Sequence, residues 1–183
     1  MPHLVIALLY MLPAAISCFC AYRQYQKGSF QTSACFLVIA GFLLRFFMAS
    51  DMYLHEWDER YHALVAKHLM DNMLLPKLYS QALLPFDFKD WSSNYIWLHK
   101  QPVPLWCMAV SMKVFGVNEI AMRLPSVVVS STAIFFTWII GKKLFNEKVG
   151  LLAAFFHSIN GLVMDITSGR SATDHIDIFF LFF

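Results

Sequence analysis

Two adjacent carboxylates, Asp58 and Glu59, stand with Glu56 between two imidazoles, His55 and His62, in the stretch Leu54-His55-Glu56-Trp57-Asp58-Glu59-Arg60-Tyr61-His62. A carboxylate set against a hydrophobic segment, partly shielded from water, suits general-base work on a hydroxyl nucleophile. The same residues have a plainer use, because acidic side chains at a helix start offset the macrodipole and cap free N–H groups. His55 likewise reads either as a ligand or as a satisfied structural imidazole. A second polar cluster lies near the C-terminal end, in Gly169-Arg170-Ser171-Ala172-Thr173-Asp174-His175-Ile176-Asp177. Asp174 and Asp177 are three residues apart and would share one helix face. Capping explains Asp174, whereas an ionised Asp177 at membrane depth needs a cavity or a partner. Arg170 supplies that partner, or else binds a phosphate.

The elements that must position these residues are membrane helices. The 183 residues are 58% hydrophobic, include 18 Phe and have a mean hydropathy of +0.55. The apolar residues fall in long runs, which excludes an ordinary soluble domain. A net charge of +2 with no basic block argues against nucleic acid. Cys18, Cys20, Cys35 and Cys107 lack metal-type spacing and read as small core residues.

Four spans are expected, at about 3–22, 33–49, 124–140 and 149–166, with a fifth starting at 176–183. Pro13 falls inside the first and Pro125 in the first turn of the third, both tolerable in membrane helices. No basic region precedes the first run and no small-x-small site follows it, which speaks against a cleaved signal peptide. Arg45, near the far end of the second span, is expected to snorkel to the interface. Arg23, Lys27, Lys142, Lys143 and Lys148 fall in the short connections, so that side is expected to be cytoplasmic. The outer loops are then 50–123 and 167–175, and they hold both polar clusters. The final apolar run offers roughly 12 Å of a ~30 Å crossing. The chain is therefore read as the N-terminal part of one membrane domain, inactive by itself.

The long outer loop has its own order. A helical pattern starts at Asp58 and runs through Tyr61, Leu64, Val65, His68 and Leu69 to the Asp71-Asn72 region, with Pro76 beyond its end. An irregular stretch follows around 84–91. After His99-Lys100-Gln101-Pro102-Val103-Pro104, the residues Leu105, Met108, Ala109, Met112 and Phe115 fall on one face of a helix that stops at Gly116 and is expected to lie along the membrane interface.

Taken together, several short motifs carry a resemblance. Trp57-Asp58-Glu59-Arg60-Tyr61 after the second span, His99-Lys100-Gln101-Pro102-Val103-Pro104-Leu105-Trp106, Phe115-Gly116 with Glu119, Arg123-Leu124-Pro125-Ser126, and Arg170 with Thr173-Asp174 resemble the N-terminal portion of family 39 glycosyltransferases. These are integral-membrane enzymes of GT-C type, related to protein O-mannosyltransferases and to the aminoarabinose transferase that modifies lipid A. The resemblance implies an all-α, polytopic transmembrane helix bundle with a long outer loop carrying interfacial helices. It also implies transfer of a sugar from a polyprenyl-phosphate-linked donor to a lipid, glycan or protein acceptor, with inversion. The location it implies is the bacterial inner (plasma) membrane, with the active site on the non-cytoplasmic side.

By position, Asp58 matches the catalytic base and Glu59 its neighbour; Asp174 matches a second acidic residue, a role Asp177 would also fit. Lys100 matches a lysine that approaches the donor phosphate, and Arg170 is a further phosphate ligand. The chain departs from the family pattern at His99, where glutamate is usual, and at Gln101, where proline is usual. No cofactor is required; if a divalent metal is used, His55, His62, His99 and Asp174 are the residues that would hold it. Two other classes compete. A proton-coupled transporter would explain Arg45, Asp165 and Asp177 but predicts ionisable groups within several spans. A non-catalytic membrane assembly factor would need no acidic pair.

Overall fold

The computed structural model describes residues 2–182 except Asp51, Trp57, 83–84, 91–93 and 171–175. Eight helices are described, and the described residues contain no sheet beyond one isolated bridge between Lys77 and Ile96. α1 (Pro2–Gln26) and α2 (Phe30–Met48) form an antiparallel hairpin. The turn between them places Gly28 at φ +74°, a conformation only glycine adopts without strain. Two hydroxyls hold the pair together: Ser17 donates to the Phe36 carbonyl and Ser33 to the Ala21 carbonyl, each at 2.7 Å. Along α1, Val5, Leu9, Leu12, Ile16 and Phe19 recur at helical spacing and all stay exposed. A continuous apolar stripe of this kind is stable in lipid and not in water. All four cysteines are free, and Cys35 is exposed on the bundle surface, not in the core.

α5 (Glu119–Leu144) is the third long apolar helix. Its first turn is capped by Asn118, whose side chain accepts from the Ala121 N–H at 2.8 Å. α6 (Glu147–Ser158) turns back against it, capped by Asn146. The two helices cross where Gly141 meets Gly150: a Cβ on Gly141 would lie 2.7 Å from the Gly150 Cα. Small residues at such a crossing let the backbones touch.

The expected span over 149–166 is not one helix. α6 ends at Ser158 and α7 (Gly161–Thr167) leaves at 54° to it. Asn160 caps α7 by accepting from the Val163 N–H at 3.0 Å, and Arg45 terminates α6. The Arg45 guanidinium donates to the His157 carbonyl at 3.0 Å, the Ser158 carbonyl at 3.1 Å, the Gly41 carbonyl at 3.1 Å and the Ser130 hydroxyl at 2.7 Å. Arg45 therefore does not snorkel; it is 0% exposed. Carbonyls freed at the end of α6 need a donor inside the bilayer, and the fork of Arg45 provides it. Truncating Arg45 to methionine is expected to destabilise the protein by at least about 2 kcal/mol by orphaning these acceptors, measured as a lower midpoint in denaturant unfolding of the micellar protein.

The remaining helices, α3 (Asp58–Leu69), α4 (Pro102–Phe115) and α8 (Asp177–Phe182), cluster where α5 begins. Their core is Val65, Leu69, Leu105, Met108, Met112 and Met122, closed by Trp97. α4 starts with Pro102 in its first turn and ends at Gly116, and its 14 residues are too few to cross a bilayer. Its buried face holds Leu105, Met108, Ala109 and Met112 as expected, while Phe115 is exposed. A second core, with Ala21, Leu37, Trp138 and Leu151, lies at the other end. Lys148 borders a cavity there with Tyr22 and Tyr25, and Lys142 borders another with Gly28, so the basic connections gather at one end. The result is an all-α membrane helix bundle with three long apolar helices, or four spans if the bent α6–α7 pair is one.

Candidate active site

Asp58 is the first residue of α3 and Lys100 lies in the bend before α4. These segments are distant in sequence and meet because α3 and α4 pack together through Val65, Leu69, Leu105 and Met108. Lys100 Nζ stands 3.8 Å from Asp58 Oδ2, with the lysine side chain 21% and the aspartate side chain 30% exposed. The pair is thus an ion pair at the outer limit of contact, longer than a hydrogen bond, and solvent reaches both groups.

Glu59, one residue on, is in the opposite condition. Its carboxylate receives Arg123 Nε at 2.6 Å and a terminal nitrogen of the same guanidinium at 3.0 Å, and the His55 N–H at 2.6 Å. Glu59 is 3% exposed and Arg123 0%. Arg123 also donates to the Ala49 carbonyl at 3.0 Å and the Tyr53 carbonyl at 2.7 Å. One guanidinium on α5 therefore ties down the end of α2, the connection to α3 and the first turn of α3. Gly169 approaches from the other side at φ +75°, where a Cβ would lie 2.7 Å from Glu59 Oε1. The connection after α7 is packed on the start of α3 at this carboxylate.

Arg170, next to Gly169, is exposed, and its guanidinium points at the Met48 sulfur, 3.7 Å away, at the end of α2. It thus lies at the same end of the bundle as Asp58. Asp174 lies outside the described residues. Asp177 opens α8 and is half-buried.

The three histidines divide between two aromatic partners. His62 is fully buried, edge-on to Trp97 at 5.6 Å, and His99 meets the same indole at 5.7 Å. His55 is edge-on to Tyr53 at 5.3 Å. Among the described residues no three His, Cys, Asp or Glu side chains are arranged to hold a metal. His55, His62 and His99 form no such group with one another, and Asp174, the fourth residue of the expected set, lies outside the described residues. Burial pushes the thiol of Cys107 on α4 above its ordinary range.

The structure brings together Asp58 and Lys100, both singled out from the sequence; sequence reasoning did not identify Arg123 as the partner of Glu59. The signal was present in Arg123-Leu124-Pro125-Ser126, a cation just inside an apolar span, which in a membrane helix demands an anionic or carbonyl partner.

A family model described as dolichyl-phosphate-mannose-protein mannosyltransferase matches residues 99–183. The match covers somewhat under half of the chain and includes Lys100, Arg123 and Arg170, while Asp58 and Glu59 precede it. It points to a relationship with that family and agrees with membrane-associated glycosyl transfer. No curated protein and no solved structure matches the chain.

Proposed function

We propose that this protein is a membrane glycosyltransferase that takes a sugar from a polyprenyl-phosphate-linked donor and passes it, with inversion, to a lipid, glycan or protein acceptor. The observation that carries this reading is the pair formed by Asp58 and Lys100, a carboxylate and an ammonium 3.8 Å apart and both reachable from solvent. Such a pair supplies the two charges that the reaction needs. As the acceptor hydroxyl oxygen attacks C1 of the sugar, an Asp58 oxygen removes its proton. The bond between C1 and the phosphate oxygen breaks, and its electron pair leaves with the phosphate, whose charge Lys100 offsets. Arg170 is a second phosphate cation in this scheme. Asp174, or Asp177 in its place, is the second acidic residue. Glu59 serves differently from Asp58: engaged by Arg123 and the His55 amide, it anchors the first turn of α3 beside the base.

The family match supports the lipid-phosphate donor, because dolichyl phosphate mannose is a sugar on a polyprenol-type phosphate. The gathering of Lys142, Lys148 and the α1–α2 turn at the opposite end supports placing the site on the non-cytoplasmic side, by the excess of basic residues in cytoplasmic loops. A bacterial inner membrane is the setting we propose. A transporter would need titratable groups along the spans, whereas Arg45 is engaged by carbonyls and a hydroxyl.

The test is incubation of the full-length protein in proteoliposomes with a labelled polyprenyl-phosphate sugar. Lys100→Met is expected to lower kcat/KM for the donor about 10- to 100-fold, the loss expected for one charge-assisted contact. An unchanged kcat/KM would remove Lys100 from the phosphate site.

A further inference from the structure

The two adjacent carboxylates are built for opposite purposes. Glu59 is locked: it is 3% exposed, its contacts to Arg123 Nε and to the His55 amide are both 2.6 Å, and the guanidinium that grips it is held by two backbone carbonyls besides. Asp58 meets Lys100, a lysine on a loop, at 3.8 Å, with both side chains partly open to solvent. A lysine ammonium on a flexible four-carbon stem changes partners readily, and a partly exposed pair is worth little.

From this contrast we infer that Lys100 is a latch that serves two anions in turn, lying against the Asp58 carboxylate until a donor phosphate draws it away and uncovers the base. The inference rests on the proposed function and specifies the order of events in that same site. In the latched state the Lys100 ammonium stands against Asp58 Oδ2 and competes with an acceptor hydroxyl for that oxygen. The arriving phosphate offers the ammonium a second anion. When Lys100 turns to it, Asp58 Oδ2 is left open towards the same space in which the sugar now lies. The acceptor proton then passes to Asp58, the C1–O bond breaks, and the electron pair stays on the phosphate beside Lys100. After the polyprenyl phosphate leaves and Asp58 returns its proton to water, Lys100 falls back. Donor binding precedes productive acceptor binding in this scheme.

Thermodynamic linkage makes the latch measurable without any transfer. If Asp58 competes with phosphate for Lys100, removing the carboxylate must tighten phosphate binding, and must do so only while Lys100 is present. The probe is sugar-free polyprenyl phosphate titrated onto the full-length protein in nanodiscs, where the prenyl tail keeps binding measurable in every variant. Asp58→Asn is expected to bind it about two- to fivefold more tightly than wild type, the range for a partly exposed ion pair. In a Lys100→Met background the same substitution is expected to leave the Kd unchanged. Equal tightening in both backgrounds would mean simple repulsion between Asp58 and the phosphate, and would overturn the latch. So would no tightening in either. Failure of the proposed function is separable: a protein that shows the coupling but transfers no sugar keeps the latch and loses the transferase reading, whereas transfer with a flat cycle does the reverse.

Discussion

Asp58→Asn is expected to lower kcat for sugar transfer by about 100- to 10,000-fold, the usual share of a positioned general base. Asparagine keeps the shape of the side chain and can still accept a hydrogen bond at a helix start, so α3 should form as before. The fold around it is secured by its neighbour: Glu59 and Arg123 hold the first turn of α3 whatever stands at position 58. The rate loss should therefore appear in a protein whose thermal unfolding is unchanged within about 1 kcal/mol. A melt measured on the same preparation as the transfer assay checks this. Loss of kcat without loss of donor affinity is the signature of a group that acts in the transition state. A loss of activity that followed a collapse of the melting transition would assign Asp58 to the fold instead.

The largest effect on stability is expected at Arg123. Replacing it with methionine leaves the Glu59 carboxylate buried with its cation gone, and leaves the Ala49 and Tyr53 carbonyls short of a donor. Removing one partner of a buried, hydrogen-bonded pair costs about 3–5 kcal/mol, whereas removing both costs much less. The double variant Glu59→Leu with Arg123→Met should therefore recover much of what Arg123→Met alone loses, measured by chemical denaturation in detergent. Recovered stability should not bring recovered turnover, because Asp58 would no longer be fixed relative to Lys100. If both single variants unfolded normally, the pair would not be the anchor described here.

The larger features of this fold were legible because they are written in local pattern. Long apolar runs gave the three long helices, and α3 begins at Asp58, where the periodicity placed its start, and ends at Leu69, short of the expected Asp71-Asn72 region. The helix after Lys100 likewise stops at Gly116, where the sequence placed a stop. What the pattern did not disclose are partners remote in sequence. The partner of Glu59 was not foreseen because nothing near it in the chain announces Arg123, 64 residues away. Arg45 looked like a snorkelling residue because most of its partners are backbone carbonyls, which leave no signature in side-chain identity. The break near Asn160-Gly161 could have been found, since that dipeptide is a turn and capping signal inside an otherwise apolar run. The grouping of His55, His62 and His99 as ligands rested on residue type alone. In the fold, Trp97 has His62 and His99 on its edges and Tyr61 stacked parallel to it at 6.5 Å, so the aromatic packing organises these rings.

The central claim is that the donor reaches this site as a sugar on a lipid phosphate. The measurement that tests it most directly supplies the full-length wild-type protein in proteoliposomes with either a polyprenyl-phosphate sugar or the corresponding nucleotide sugar, and follows the label into acceptor. Transfer from the lipid-linked donor alone, with stoichiometric release of polyprenyl phosphate, is the predicted result. Transfer from the nucleotide sugar alone, or the same lipid-linked transfer in the Asp58→Asn protein as in wild type, would contradict it.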